Sequence, residues 1–392
     1  MTREIEALAS IINSMGPPIK VPSHPPKYRR AAVAIIIRIR PDSRNSALLE
    51  GRQIQALDHP DSLDEFFAQS WVQTGTPEVL FIERATRTTD RWSGHVALPG
   101  GKQELHEDDQ DTAVRETLEE IGLDLSDPTQ YRCVGQLDDR ELWASFGRIF
   151  LMVLSPFVFI QLSPNTPALQ PQPDEVASVH WEPLSLFLDQ LESPGWTPMV
   201  INLTSKLAPK LSKTMLRGAF GTISLHAIEM PYQPEFVVRK RIETEEMIKA
   251  VVDFQPSWDP NHPPLRLWGL TLQMMADLFE LRNGPVQMHK FRPNWDTRRM
   301  KKRLDGGFLP RFSLMGMDFW VRFMLRINLW QSIKNKSETS SRVGSWESYF
   351  RLVRRAFILA LLSRAAILAL LVKYLREPVL RLIKSTLSKT LT

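Results

Sequence analysis

The chain has 392 residues, 43% hydrophobic and 24% charged, which is typical of a globular protein with two domains or one domain with large insertions. The single cysteine, Cys133, excludes an internal disulfide framework and favours a reducing, intracellular compartment; its thiol is expected to be a small core side chain. The first fifteen residues hold no long apolar run, which argues against a secretory signal.

The N-terminal third is predicted to contain a leader and two strands. Residues 1–27 are interpreted as a leader, because a short amphipathic helix is followed by two proline pairs. Residues 31–39 are β-branched or small and apolar, which predicts a strand buried on both faces. Residues 40–76 are polar and acidic and are predicted to be an insertion with one helix near 63–73. The next strand is expected at 79–84.

Arginines follow that second strand directly, just before a pair of glycines. Arg84, Arg87 and Arg91 stand upstream of Gly100 and Gly101. Guanidinium groups bind phosphate oxygens well, so Arg84 and Arg91 are candidate phosphate-binding residues. For Arg87 a solvated loop explains the sequence equally well. The two glycines have no side chains, so a substrate can approach their backbone closely.

A regularly spaced acidic motif follows the glycines. From Gly101 the order is five residues, Glu107, seven residues, then Arg-Glu-Thr-Leu-Glu-Glu-Ile-Gly-Leu over residues 115–123. Residues 109–121 are predicted to be a helix with Asp108 or Asp109 as N-cap and Gly122 after its end. The predicted buried stripe of that helix consists of Ala113, Val114, Leu118 and Ile121.

Three glutamates of this helix are predicted to share one face. Glu116, Glu119 and Glu120 lie at i, i+3 and i+4, so their carboxylates would repel one another without a cation between them. Oxygen-only ligands suit Mg²⁺ or Mn²⁺ bound together with substrate phosphates. The alternative is a solvated acidic helix face.

This motif resembles the Nudix box, the signature of hydrolases that cleave a nucleoside diphosphate linked to another group. Thr117 departs from the aliphatic residue usual in that family. The resemblance implies an α+β fold with a mixed β-sheet sandwiched between helices. It also implies that Glu116, Glu119 and Glu120 bind metal and orient the attacking water. Arg115 is expected to pair with Glu107 and so to hold loop and helix together.

Two further stretches resemble the coenzyme A diphosphatase subfamily. One is Arg84-Ala85 followed by Gly94, Val96 and Pro99-Gly100-Gly101, although Leu98 replaces the usual phenylalanine. The other is Trp268-Gly269-Leu270-Thr271, which is similar to the start of that subfamily's last domain helix. The implied reaction is hydrolysis of coenzyme A to 3′,5′-ADP and 4′-phosphopantetheine.

Between these stretches the chain alternates strands with loops of unassigned role. Strands are predicted at 131–137, 149–162, 176–181 and 221–229, and helices at 184–191, near Glu243 and at 271–281. Glu175, just before a strand, is a candidate extra metal ligand or base by family resemblance, although a surface position explains it as well. His226 and His262 are expected to be structural.

The C-terminal part is strongly basic. Residues 283–392 contain 22 lysines and arginines against 6 aspartates and glutamates, whereas the preceding chain is acidic overall. Such a tail favours an anionic membrane surface over nucleic acid as its partner. Residues 319–330 mix aromatic residues with arginines, as helices at a membrane interface do.

The last apolar run has the length of a short transmembrane helix. Residues 356–372 include ten Leu, Ile, Phe or Val, each worth roughly 0.3–0.6 kcal/mol on insertion, against about 2.5–3.5 kcal/mol for Arg364. The two contributions nearly cancel, so an inserted helix and an interfacial helix both fit, and a buried soluble helix is the alternative.

These observations predict four regions: a leader (1–27), a Nudix hydrolase domain (28–282) with insertions near 40–76 and 205–257, a basic linker with interfacial helices (283–350), and a membrane-associated helical tail (351–392). The leading hypothesis is a metal-dependent coenzyme A or acyl-coenzyme A diphosphatase at an intracellular membrane. The alternatives are hydrolysis of another diphosphate, such as a dinucleotide or nucleotide sugar, and a non-enzymatic membrane adaptor that retains the fold.

Overall fold

The structure is a computed structural model. It describes residues 1–21, 29–45, 60–85, 94–144, 149–192, 197–202, 222–232, 234–244, 247–253, 264–283, 311–312, 319–324, 326–327 and 346–390. The chain forms two compact units. The first comprises Met1–Trp143, Phe150–Met199 and Leu225–Arg292, and the second comprises Ala144–Ile149, Val200–Ser224 and Pro293–Thr392.

The helices are short in the first unit and long at the end of the second. They are α1 (Arg3–Asn13), α2 (Leu63–Ala68), α3 (Ser70–Thr74), α4 (Asp109–Ile121), α5 (Leu184–Glu192), α6 (Gly269–Glu280) and α7 (Trp346–Thr390), with a 3₁₀ turn at Leu281–Asn283.

The strands follow one another with loops of varied length. They are β1 (Arg30–Arg40), β2 (Thr76–Arg84), β3 (Val96–Ala97), β4 (Gly100–Lys102), β5 (Tyr131–Gln136), β6 (Arg140–Ala144), β7 (Ile149–Gln161), β8 (Val176–Pro183), β9 (Thr197–Asn202), β10 (Thr222–Met230), β11 (Phe236–Thr244), β12 (Met247–Asp253), β13 (Leu265–Trp268) and β14 (Arg311–Phe312).

A mixed sheet organises the first unit. Its main path runs β12-β11-β8-β2-β1-β7-β5, with β3 on β2, β4 on β1 and β6 on β7. β1 and β7 pair in parallel, and the other pairings for which a register is resolved are antiparallel. The short β4 is paired through Val33↔Gly100 and Ala32↔Gly101. This pairing fixes the two glycines beside the first half of β1.

Strand β1 is buried on both faces, as its composition predicts. Ile35 and Ile37 belong to the apolar cluster on one face, whereas Ala34 and Ile36 belong to the cluster on the other. Helices α1, α5 and α6 contribute to the first cluster, and α4 packs against the second through Ala113 and Ile121. Helices therefore cover both faces of a mixed sheet, which confirms the predicted α+β fold class.

The N-terminal helix is part of this core. The sequence assigns α1 to a leader, yet Ile5, Leu8 and Ile11 are fully buried and belong to the first apolar cluster. Residues after the helix also make backbone contacts with the domain, because Ile19 N donates to the carboxylate of Asp138 at 2.8 Å. The amphipathic face of the predicted leader therefore packs in the core of the first unit.

Two local predictions need correction. The single helix expected near 63–73 is interrupted at Gln69, whose extended backbone separates α2 from α3. The acidic helix expected near Glu243 is instead a β-hairpin, in which β11 and β12 pair antiparallel, for example through Val238↔Val252. The β-branched residues of both segments favour the extended conformation over the helix suggested by the glutamates.

In the second unit, α7 extends from Trp346 to Thr390, so residues 351–390 are helical as predicted. Residues 319–324 and 326–327 are also helical. The histidines His226 and His262 differ in placement: His226 lies in β10, and His262 lies outside the described residues.

Candidate active site

The glutamate-bearing helix α4 begins and ends where the sequence predicts. The carboxylate of Asp108 accepts a hydrogen bond from Asp111 N at 2.8 Å, which caps the first turn. At the other end Gly122 adopts a left-handed conformation with φ 76°, and its N–H donates to Leu118 O. Both signals come from residues next to one another in the sequence, so they act before any tertiary contact forms.

The buried face of α4 differs from the prediction at two positions. Thr117 is fully buried, and its hydroxyl donates to Ala113 O at 2.7 Å. Leu118 is 47% exposed. The stripe that packs against the sheet therefore runs through Ala113, Thr117 and Ile121, at i, i+4 and i+8. A threonine can occupy this stripe because the helix backbone itself accepts its hydroxyl proton.

The pair of glycines lies directly against α4. Gly100 N donates to Glu120 Oε2 at 2.9 Å. A Cβ atom added to Gly101 would lie 2.4 Å from the carboxylate of Glu116, and one added to Gly100 would lie 2.2 Å from Ala32 O. Gly100 also has φ +146°, which disfavours other residues. Absent side chains thus let the helix carboxylates approach the backbone of β4.

Arg115 connects the preceding loop to the carboxylates of the helix. Its Nε donates to Glu107 Oε1 at 2.5 Å, one terminal nitrogen donates to Glu119 Oε2 at 2.9 Å, and the other donates to Glu116 Oε1 at 3.1 Å. The same nitrogen reaches Lys102 O at 3.0 Å. The predicted pairing of Arg115 with Glu107 is therefore present in the structure.

An open cleft of about 210 Å³ lies between the glycine pair and the helix. Its lining residues are Arg84, Ala85, Gly100, Gly101, Lys102, Glu116, Glu120 and Glu175. The cleft brings Glu175, which is distant in sequence, next to the helix glutamates; Ala85 N donates to Glu175 O at 2.8 Å. Sequence reasoning did not single out Lys102, although its position right after the glycines is a usable signal.

Not every candidate residue lies in this cleft. Glu119 is absent from the lining, and its side chain is 55% exposed and paired with Arg115. Arg91 and Arg87 lie outside the described residues. Cys133 is half-buried on β5, and burial raises the pKa of its thiol.

The carboxylates of the site differ in their affinity for protons. Burial, with a contribution from the charge of Glu116, raises the pKa of Glu120 to about 8. Burial also raises the pKa of Glu116, although Arg115 opposes the shift. In contrast, the hydrogen bond from Arg115 lowers the pKa of Glu107 to about 2. The charges of Glu116 and Glu120 are thus incompletely compensated, whereas that of Glu107 is well paired.

This charge distribution suits a bound divalent cation. Glu116, Glu120 and Glu175 line one cleft, and the charge of Glu175 contributes to the raised pKa of both other glutamates. A hard cation with oxygen ligands relieves such repulsion. Among the described residues no three acidic or histidine side chains are already gathered as metal ligands. Small side-chain rotations would be part of binding.

The two stretches flanking the site in sequence meet in space. The rings of His95 and Trp268 form an edge-to-face contact with centroids 4.9 Å apart. The hydroxyl of Thr271 lies 3.5 Å from Val96 O. His95 O also accepts a hydrogen bond from Arg84 N at 3.1 Å. A motif more than 160 residues after the glycine pair therefore supports the backbone that carries Arg84.

Comparison with known families agrees with this site. Residues 70–199 match the model of the NUDIX domain, and this segment contains the glycine pair, the whole of α4 and Glu175. Residues 70–199 are therefore similar to a NUDIX domain, as the spacing of the acidic motif indicated.

Three relatives are similar to parts of this chain. An uncharacterized protein of Schizosaccharomyces pombe is 37% identical over 225 residues, which is 55% of this chain and 60% of that protein. The mitochondrial coenzyme A diphosphatase NUDT8 of Mus musculus is 36% identical over 21% of this chain and 42% of its own length. The mitochondrial Nudix hydrolase 15 of Arabidopsis thaliana is 37% identical over 29% of this chain and 37% of its own. The chain thus spans less than two thirds of each of these relatives.

Proposed function

We propose that the protein hydrolyses the diphosphate bond of a nucleoside diphosphate-linked substrate, with coenzyme A or acyl-coenzyme A as the leading candidates. The observation that carries the proposal is the cleft that Glu116, Glu120 and Glu175 line together with Arg84, Lys102 and the glycine backbone. Acidic and basic groups in one cleft would suit a divalent cation bound together with a phosphate group.

In this proposal Glu116 and Glu120 hold Mg²⁺ or Mn²⁺, with Glu119 joining after a side-chain rotation and Glu175 as a further ligand or as the base. A bound divalent cation lowers the pKa of a coordinated water and neutralises developing charge on the phosphate oxygens. Arg84 and Lys102 bind the non-bridging oxygens, with Arg91 as a further candidate. Arg115 keeps Glu116 and Glu119 oriented through its hydrogen bonds.

The narrower proposal is that the substrate is coenzyme A or acyl-coenzyme A. It is supported by the Arg84-Ala85 and Trp268–Thr271 motifs, which contact the same loop, and by the partial similarity to a coenzyme A diphosphatase. The proposed products are 3′,5′-ADP and 4′-phosphopantetheine, or its acyl form. The proposed location is an intracellular membrane, to which the basic C-terminal region attaches.

The test measures hydrolysis by the full-length protein with Mg²⁺ or Mn²⁺ over coenzyme A, acetyl-coenzyme A, NADH, ADP-ribose and a diadenosine polyphosphate. We expect release of 3′,5′-ADP from coenzyme A, and a loss of at least about 100-fold in kcat in Glu120→Gln and Glu119→Gln. Glu104→Gln, which alters an exposed side chain outside the cleft, is the matched control.

Two other results would favour the alternative functions. Cleavage of another diphosphate alone would retain the chemistry and reject coenzyme A as substrate. No turnover of any substrate, by a folded protein on liposomes, would favour the non-enzymatic adaptor.

A further inference from the structure

The long C-terminal helix α7 contains a segment with the dimensions of a membrane span. Residues Arg355–Arg376 form 22 residues of mean hydropathy 2.1, and only 12% of the most apolar window is buried within the protein. At 1.5 Å per residue the segment is about 33 Å long, close to the ~30 Å hydrocarbon thickness of a bilayer. Length and composition alone do not separate a span from the buried core helix of a soluble protein, but exposure does.

The second half of this segment is apolar in every direction around the helix axis. Residues 365–372 contain no polar side chain. Ile367, Leu370, Leu371 and Val372 are 50–60% exposed, and Ala369 is exposed as well. At 100° per residue these five positions distribute around the whole helix. An interfacial helix needs a polar face toward water, and these residues provide none.

The first half of the segment is covered on one side only. Val353, Ala356 and Ala360 are buried, and Ser363 continues the same face. Trp320 Nε1 lies 3.4 Å from Ser363 Oγ, within hydrogen-bond distance, which places helical residues 319–324 on this face. Small residues at i, i+4 and i+7 let two helices approach closely in membranes, where packing rather than water drives association.

The residues of α7 that face away from this contact are again apolar, whereas the short helix exposes Arg322 beside two phenylalanines. On α7 itself Ile358 and Leu362 are 56% and 60% exposed. On the short helix Phe319 and Phe323 are 63% and 43% exposed, with stacked rings 6.0 Å apart. Arg364, the charge inside the segment, is half-buried next to the position that Trp320 contacts. Intramembrane charges characteristically face neighbouring protein in this way.

The charges around the segment complement a lipid surface. No acidic residue occurs between Glu347 and Glu377, whereas basic residues occur at both ends of the segment. Those residues are Arg351, Arg354, Arg355, Lys373 and Arg376. Long basic side chains can extend from the hydrocarbon edge to anionic headgroups, and each contributes attraction there.

We infer that residues 355–376 cross a lipid bilayer as one transmembrane helix, with residues 319–324 packed against its first half. The inference deepens the proposed membrane attachment, because it replaces surface binding with a span. It does not depend on the proposed hydrolase activity, and its test includes no activity measurement.

The first experiment maps the two ends of the helix. Cys133→Ser removes the one native thiol, and Ser348→Cys or Ser385→Cys then adds one on either side of the segment. Each full-length variant is produced in cells, and sealed membrane vesicles are treated with a membrane-impermeant maleimide. We expect one position to be labelled at least tenfold more than the other, and both to be labelled equally after detergent. Equal labelling in sealed vesicles, whether high or low, would overturn the span.

The second experiment tests the apolar surface with matched substitutions. Leu370→Lys adds a charge inside the segment, whereas Leu382→Lys adds the same charge six residues beyond it. The fraction of protein that stays in membranes after alkaline carbonate extraction is measured for both. We expect Leu370→Lys to reduce that fraction at least fivefold and Leu382→Lys to leave it within twofold of the unaltered protein. Complete extraction of the unaltered protein would contradict the inference and leave surface binding.

Discussion

The absence of a side chain at Gly101 shapes the candidate site as strongly as any glutamate does. A Cβ atom at this position would lie 2.4 Å from the Glu116 carboxylate, which is the flexible end of a side chain. At Gly100 the atom met by a Cβ is the backbone oxygen of Ala32, and φ is +146°. The two neighbouring glycines therefore have different roles, one for carboxylate placement and one for the path of the chain.

Substituting Gly101→Ala should consequently reduce activity without unfolding the protein. The added methyl group displaces the Glu116 carboxylate by about 1 Å, a misplacement that can cost about 100-fold in rate. We expect kcat/KM for the diphosphate substrate to fall by that order and Tm to change by less than about 3 °C. Activity assays and thermal unfolding check both statements.

Two other glycines serve as comparisons for this prediction. Gly100→Ala should lower Tm clearly because backbone atoms cannot move aside as easily. Gly16→Ala should change neither quantity, since a Cβ at that position meets no atom within 4 Å. Unchanged activity in Gly101→Ala would show that the Glu116 position is not critical.

Among the elements, α4 is held to the sheet at its first residue by a buried ion-pair network. Arg30 on β1 donates to both carboxylate oxygens of Asp109 at 2.7 and 2.5 Å and to Asp139 at 2.9 Å. The Asp139 side chain is completely buried, and Ser155 Oγ donates to it at 2.7 Å. The nearby carboxylates, Asp109 above all, raise the pKa of Arg30. These ion pairs therefore connect β1, the first residue of α4 and the loop that contains Asp139.

Removing the cation from this network should be costly. Arg30→Met leaves two carboxylates, one of them fully buried, without their partner, and we expect a loss of about 3–5 kcal/mol in the free energy of unfolding. Arg40→Met is the matched control on the same strand. Arg40 is 58% exposed and its partner Glu78 keeps Arg38, so the expected loss is under about 1 kcal/mol. Denaturant unfolding would detect the difference; equal losses would contradict it.

The contact between β13 and the loop before the glycine pair gives another prediction at this scale. Trp268→Ala removes the ring that packs on His95, whose carbonyl holds Arg84 N. We expect a rise of at least about tenfold in KM for the diphosphate, because one phosphate-binding group loses its position. Trp268→Phe keeps an aromatic ring there and should restore most of the affinity. Similar KM values for Trp268→Ala and the unaltered protein would exclude a positioning role.

For the molecule as a whole, we expect the free energy of unfolding to depend on pH through the buried carboxyl group of Glu182. Burial, and to a smaller extent the charge of Glu78, raises the pKa of Glu182 to about 8. The folded protein therefore holds this proton more tightly than the unfolded chain, in which the pKa is near 4.5. The stabilisation is present below about pH 4.5 and is lost as the pH rises through about 8.

Glu182→Gln should remove this dependence. We expect the variant to exceed the unaltered protein in free energy of unfolding by about 1–3 kcal/mol at pH 9, and by less than about 0.5 kcal/mol at pH 4. Glu229→Gln, on the surface and paired with Arg266 at 3.2 Å, is the control and should show a small difference at both pH values. If the difference in free energy of unfolding between Glu182→Gln and the unaltered protein stays constant across this pH range, Glu182 does not cause the pH dependence.

Positive and negative charges are distributed unevenly along the whole chain. The C-terminal 110 residues carry an excess of 16 positive charges, whereas the remainder carries an excess of 11 negative ones. The apolar segment of α7 lies within the basic part. Composition therefore separates an acidic part, which contains the candidate active site, from a basic part that complements anionic surfaces, before any fold is considered.

The sequence by itself determined the features that depend on near neighbours. The ends of α4 follow from Asp108 and Gly122, and the burial of β1 on both faces follows from its unbroken apolar run. The resemblance of residues 70–199 to a NUDIX domain follows from the spacing of Gly101, Glu107 and the helix glutamates. Local capping, side-chain period and motif spacing are all encoded within about 25 residues, so they can be read without a tertiary structure.

Only the tertiary structure decided which residues meet. It placed Glu175 and Lys102 in the cleft lining, left Glu119 out of that lining, and buried Thr117 in place of Leu118. It also made α1 part of the core and joined β11 and β12 into a hairpin. These outcomes depend on contacts between distant segments, and packing against a partner surface overrides the weak local preference of any single residue.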